Sequence, residues 1–250
     1  MPSKVSLAIS PWDAGIGGAV LVLAYALKRF YSTATPEDLR WILGPTAALV
    51  SSFTRAPFVA ERGVGYVNDS LATIITPACA GVNFFIIASC LLVLGFIRTI
   101  PRLSGKLAWT VGSIVCAYAA TLVVNAVRIR IGIALHLHGV PGHLLGAAQA
   151  HRLEGVIVYL SSLSLLFVFG RRVSTRARPT ARVFAFSASD FVVPAFFYVT
   201  GAILVPLAHG GWAKSAFWQH ATAVLIATLL VAALRLGVGH RPSRRALDVE

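Results

Sequence analysis

Three short segments carry residue types that can perform acyl transfer at a carbonyl. Cys79 lies in Thr76-Pro77-Ala78-Cys79-Ala80-Gly81-Val82-Asn83-Phe84, Asn125 and Arg128 in Asn125-Ala126-Val127-Arg128-Ile129, and His151 and Glu154 in His151-Arg152-Leu153-Glu154-Gly155. A Cys thiolate is a nucleophile, and it is favoured near the positive end of a helix. A guanidinium with a neighbouring amide makes a cradle for a thiolate or an oxyanion. An imidazole moves protons, and a carboxylate three residues on, on the same helical face, can orient it. Each segment sits at a junction between an apolar run and a polar stretch. The chemistry therefore requires that the intervening elements deliver all three to one face of a membrane.

The composition is that of a polytopic membrane protein. Of 250 residues, 57% are apolar and 12% charged, with a mean hydropathy of +0.77. A net charge of +13 would suggest nucleic acid in a soluble chain. Without long aromatic–basic stretches, basic cytoplasmic loops account for it better, and no nucleic-acid partner is expected. Three cysteines give no disulfide framework and no zinc spacing. Neither a metal nor an organic cofactor is implied. The first apolar run follows no small-residue cleavage site and is read as a retained helix.

Runs near the roughly 20 residues needed to cross a bilayer predict an all-α, polytopic transmembrane bundle of seven helices in a single domain over residues 1–250. The spans run from Trp12 to Leu27, Trp41 to Ala60, Val82 to Ile97, Leu107 to Val127, Leu153 to Gly170, Phe184 to Leu207 and Ala216 to Leu236. Gly44, Pro45 and Arg55 interrupt the second. Basic residues concentrate at Lys28, Arg29 and Arg40; at Arg98, Arg102 and Lys106; between Arg171 and Arg182; and from Arg235 to Arg245. The positive-inside rule then puts the N-terminus outside and the C-terminus in the cytoplasm. Cys79, Arg128 and His151 all fall on the outer side. The stretch from Arg128 to His151, with His136, His138, Pro141 and His143, reads as an outer-face helix or re-entrant segment.

The ordinary alternatives differ in force. Cys90 and Cys116, deep in apolar runs, read as packing residues. Cys79 is set apart by Pro77 before it and Gly81 after it, with Asn83 beside them as a supporting polar residue. Arg128 could anchor a helix by snorkelling, and Arg130 fits that role better. His136, His138 and His143 read as interfacial. Asp190 reads as a helix N-terminal charge.

Together the segments resemble the exosortase/archaeosortase family of membrane-embedded Cys transpeptidases. The pattern is a Cys followed closely by Gly, then Asn-x-x-Arg, then a His or Arg before a helix carrying a small residue and Gly. Cys79 with Gly81, Asn125 with Arg128, and His151 with Gly155 match it, across a core of about residues 63–170. Ala80 stands where Ser or Thr is commoner, and Glu154 where a small hydroxyl residue is commoner. The resemblance implies a bacterial cytoplasmic-membrane enzyme with its active site on the outer side. Its substrates would be exported proteins ending in a short motif, a transmembrane helix and a basic tail. The acyl chain would pass to an acceptor, with membrane lipid as the surrounding partner. Which of Arg128 and His151 moves protons stays open. The rival readings are a small transporter, against which the scarcity of mid-span charges counts, and a non-catalytic scaffold subunit.

Overall fold

The computed structural model describes residues 10–138, 147–175, 189–208, 213, 217–226 and 228–229. The helices are α1 (Pro11–Tyr31), α2 (Arg40–Thr54), α3 (Val82–Phe96), α4 (Leu103–His138), α5 (Ala147–Thr175) and α6 (Ser189–Val199). A π-helical segment, Thr200–Leu204, continues α6 into α7 (Val205–Ala208). Residues 217–226 are also helical. Among the described residues, five helical stretches are long and apolar enough to cross a membrane: Pro11–Tyr31, Pro77–Thr99, Leu103–Leu137, His151–Ser174 and Asp190–Leu207. Apolar side chains such as Leu21, Leu23, Val111, Val115, Leu165, Phe169 and Phe196 point away from the protein. An apolar belt of this kind suits a lipid environment.

The most apolar stretch lies at the centre. α3 is hydrophobic on every side, as a helix surrounded by others must be. It packs against α1, α4, α5 and α6. Phe84, Leu91, Leu92 and Phe96 meet Val156, Leu160, Leu163 and Phe167 of α5 in the main core. Gly170 permits this approach, because a Cβ there would stand 2.6 Å from the Phe96 ring.

The expected span from Trp41 to Ala60 is not one. α2 is only 15 residues long, and its buried residues form a single stripe: Leu39, Ile42, Leu43, Thr46, Ala47 and Val50. The spacing i, i+3, i+4, i+7, i+8, i+11 is that of an amphipathic helix. The remainder of the expected span enters a three-stranded antiparallel sheet, an element the all-α expectation lacked. β1 (Val59–Glu61), β2 (Gly65–Asn68) and β3 (Thr73–Ile75) pair in chain order, with Ala60 opposite Tyr66 and Val67 opposite Ile74. Gly65 has φ +133°, and any Cβ there would strike the Ile75 carbonyl. Asn68 braces the turns, donating to the Pro57 carbonyl and accepting from Leu71 N and Ser70 Oγ.

α2 and the sheet form a cap on α4. At 36 residues α4 is about 54 Å long, against a hydrocarbon core of about 30 Å. It continues unbroken to His138, into the stretch expected to be an outer-face helix or re-entrant segment. Pro141 and His143 lie outside the described residues. Ala126, Ile129 and Ile133 of its C-terminal part meet Leu39, Ile42, Leu43, Ile75, Ala80 and Val82 in a second core. Gly44 admits the Tyr66 ring, whose hydroxyl would lie 2.9 Å from a Cβ.

Two polar contacts fix the course of α1. Asp13 pairs with Lys106 at the start of α4. At the other end Lys28 Nζ donates to Asn83 Oδ1 (2.7 Å), and Tyr31 Oη donates to the Pro77 carbonyl (3.1 Å). Lys28 and Arg29 therefore stand at the same end of the bundle as Cys79, not the opposite end as the basic-residue pattern suggested. The start of α1 is across the bundle from Cys79, whereas the expected topology put both on one side; residues 1–9 lie outside the described residues. The misreading has one cause: α2 was counted as a crossing.

Candidate functional site

Pro77, with no N–H to leave unpaired, opens a 3-10 turn over Pro77–Cys79. The Cys79 N–H donates to the Thr76 carbonyl (2.8 Å). Gly81 follows with φ +74° as the residue preceding α3. This left-handed conformation costs other residues about 1–2 kcal/mol. Gly81 is also closely faced, since a Cβ would lie 3.1 Å from Asn125 Cγ and 3.2 Å from Thr121 Cγ2. The turn thus seats on α4 directly over Asn125.

Asn125 is completely buried and uses both ends of its amide. Its Nδ2 donates to the Cys79 carbonyl. Its Oδ1 accepts from Arg128 Nε (3.2 Å) and from Tyr159 Oη (3.0 Å). One side chain therefore fixes the backbone at the thiol, the guanidinium one turn later and a tyrosine on α5. The Arg128 guanidinium lies over the Tyr159 ring, 5.3 Å from its centroid, a cation–π contact. It lines the same cavity as Cys79. Arg128 is thus part of the cluster, whereas Arg130 is exposed.

His151 enters from α5. Gly132 of α4 makes room for it, since a Cβ there would stand 3.3 Å from the imidazole. Its side chain is 53% exposed, at the mouth of the cluster, and Nδ1 lies 3.7 Å from Glu154 Oε2. That separation is an ion-pair distance, longer than a hydrogen bond. Both Glu154 oxygens are buried, and neither has a hydrogen-bond partner among the described residues. Glu154 is therefore near His151 but does not lock the ring as expected. Gly155 faces the Arg128 side chain at 3.6 Å, an ordinary contact that leaves room for a methyl group.

Cys79, Arg128 and His151 line one cavity of about 320 Å³, closed on one side by Thr73, Ile74 and Ile75 of β3 and on another by Gly132 and Ile133 of α4. His136 also lines it, although its sequence context suggested only an interfacial role. Asn83 does not join this cavity; it faces Lys28 on the other side of α3. Cys90 is buried and Cys116 partly so, away from the cluster. Asp190, in the first turn of α6, pairs with Arg171 Nη2 at 2.9 Å.

Tyr159, Tyr31 and Thr121 contribute to the site without a sequence signal of their own. Tyr159 lies one helical turn beyond Gly155, so its face was readable. Its partner on α4 was not. The described residues hold no cluster of three or more His, Cys, Asp or Glu able to bind a metal ion.

Fold and site together define a mostly helical protein with several apolar helices compatible with a multi-pass membrane protein. A Cys–Asn–Arg–Tyr network lies at one end of the bundle. No known protein family, curated protein or solved structure matches the chain.

Proposed function

We propose that the protein is a membrane-embedded cysteine peptidase or transpeptidase that cuts C-terminal sorting signals of exported proteins. The observation that carries this reading is the shared cavity, because Cys79, Arg128 and His151 reach it from three separate segments. In the proposed reaction the Cys79 thiolate attacks the peptide carbonyl carbon. The carbonyl electrons move onto oxygen, and Arg128, which keeps its charge at any ordinary pH, holds the oxyanion. His151 takes the thiol proton and returns it to the departing amine as the C–N bond breaks. An acceptor amine then attacks the thioester carbonyl, loses its proton to His151 and expels the thiolate. An interfacial site with restricted water favours transfer over hydrolysis.

Arg98 and Arg102 between α3 and α4, Lys106 in the first turn of α4, and Arg171 and Arg172 near the end of α5 stand at the end opposite Cys79. In the proposed reading that end is cytoplasmic and the thiol lies on the outer side, a sidedness taken from the resemblance to exosortases and not from the charges, because Lys28 and Arg29 stand at the Cys79 end. On that reading α1 starts in the cytoplasm of a bacterial cell.

The test uses a host protein ending in a short motif, an apolar helix and a basic tail, followed by its size shift in membranes. Cys79→Ala abolishes processing, while Cys90→Ala and Cys116→Ala retain it. Near-normal processing by Cys79→Ala at matched protein level overturns the proposal.

A further inference from the structure

A second hollow, of about 530 Å³, lies between α1, α3 and the α6–α7 segment. Its walls are apolar: Leu21 and Ala24 of α1, Ile87, Cys90 and Leu94 of α3, and Phe197 of α6. Its mouth is different. Lys28, Arg29 and Ser32 stand there beside Asn83, and among the described residues no acidic side chain lines the hollow. Two cations with two neutral hydrogen-bonding groups above an apolar slot match an amphiphile with an anionic head and a hydrocarbon tail.

The length of the slot supports the same occupant. From Asn83 at the mouth to Leu94 at the base, α3 advances eleven residues, or about 17 Å. Half of a bilayer's hydrocarbon core is about 15 Å. The slot is one leaflet deep, which suits an acyl chain and is too short for a crossing helix. The base is closed where α1 and α3 touch, since a Cβ on Gly17 would stand 3.3 Å from Leu94.

The wall from α6 is locally irregular. The π-helical turn Thr200–Leu204 brings Gly201 against Ile87, at 2.8 Å from a hypothetical Cβ. Thr200 also lines the slot, and its Oγ1 is buried without a hydrogen-bond partner among the described residues. Single π turns inside helices frequently mark functional positions.

We propose that this slot binds one anionic phospholipid from the leaflet on the Cys79 side. Lys28 and Arg29 hold the phosphate, and one acyl chain runs down to Leu94. The proposal requires only that the bundle lies in a membrane, and it is independent of any reaction at Cys79.

Cys90 reports on the slot, because it lines the wall. The full chain, delipidated in detergent, is treated with N-ethylmaleimide, and labelling of the Cys90 peptide is timed by mass spectrometry. Phosphatidylglycerol at ten times its dissociation constant slows labelling by about tenfold, because about one site in eleven stays empty. Phosphatidylcholine at the same concentration gives much less protection, and inorganic phosphate gives none. In Lys28→Gln/Arg29→Gln the two lipids become equivalent. Equal protection of the wild type by both lipids overturns the anionic selectivity. No protection by either overturns the binding site. Selectivity that survives the double substitution overturns the placement of the phosphate. Should the double variant fold poorly, Arg29→Gln alone carries the same comparison with a smaller expected loss of selectivity.

Discussion

Asn125→Asp separates the roles that Asn125 combines. The carboxylate still accepts from Arg128 and Tyr159, so two of the three hydrogen bonds survive. The donor to the Cys79 carbonyl is lost, and an oxygen now faces that carbonyl. A buried acceptor deprived of its donor costs about 1–3 kcal/mol. If that free energy holds the Pro77–Cys79 turn in place, its correct population falls about 5- to 150-fold. For a chain of this length the melting temperature drops about 2–4 °C per kcal/mol, or about 2–12 °C in all. Asn125→Leu removes all three bonds, one of them to a charged group, and is more severe on both measures. Tyr159→Phe removes one neutral donor, about 0.5–1.5 kcal/mol, and is milder than either. The assays are thermal unfolding in detergent and processing of a sorting-signal substrate in membranes. Asn125→Asp matching the wild type in both would refute the view that this amide holds the thiol's backbone.

Further expectations follow from the neighbouring geometry. Arg128→Lys keeps the charge but loses the planar fork whose Nε donates to Asn125, so turnover falls about 100- to 1,000-fold while Arg130→Lys stays near wild type; equal activity of the two variants counts against an oxyanion role. Gly81→Ala destabilises by about 1–2 kcal/mol from its positive φ alone, with added pressure on Asn125, whereas Gly155→Ala is close to neutral; calorimetry of the pair checks the order. Glu37 accepts the Gly63 N–H at 2.7 Å, and this hydrogen bond holds its carboxyl below the usual glutamate value. A depressed folded-state value means stabilisation present above the ordinary carboxylate range and lost as pH falls through the lower folded value. The protection of the Gly63 amide, its exchange relative to an unstructured amide at the same pH, therefore falls in acid, and Glu37→Gln removes that fall.

The long apolar helices were legible because a run of about 20 apolar residues has few other uses. The pairing of Asn125 with Arg128 was equally legible, since three residues along a helix share a face. The cap was not. Residues Trp41 to Ala60 are apolar enough to imitate a span, and hydropathy alone does not report that Leu39, Ile42, Leu43, Ala47 and Val50 occupy one stripe. That stripe, together with Gly65 and the turn at Gly63, was the available sign of an amphipathic helix and a hairpin. The miscounted crossing then carried Lys28 and Arg29 to the wrong end. Contacts between distant segments, such as Tyr159 with Asn125 or Lys28 with Asn83, have no local signature. They follow only from how α1, α4 and α5 lie around α3.

The polar contacts at the two ends of α1 also set a thickness. From Asp13, paired with Lys106, to Lys28, bonded to Asn83, the helix advances fifteen residues, or about 22 Å. The hydrocarbon core of an average bilayer is about 30 Å. Placed in such a bilayer, the protein would present a short hydrophobic edge around α1, and the bilayer would thin beside it or the end cations would snorkel outward. Lipids with shorter chains meet this edge with less strain. α4, about 54 Å long, would impose no such limit where it meets lipid, so a bilayer around the protein would be strained unevenly.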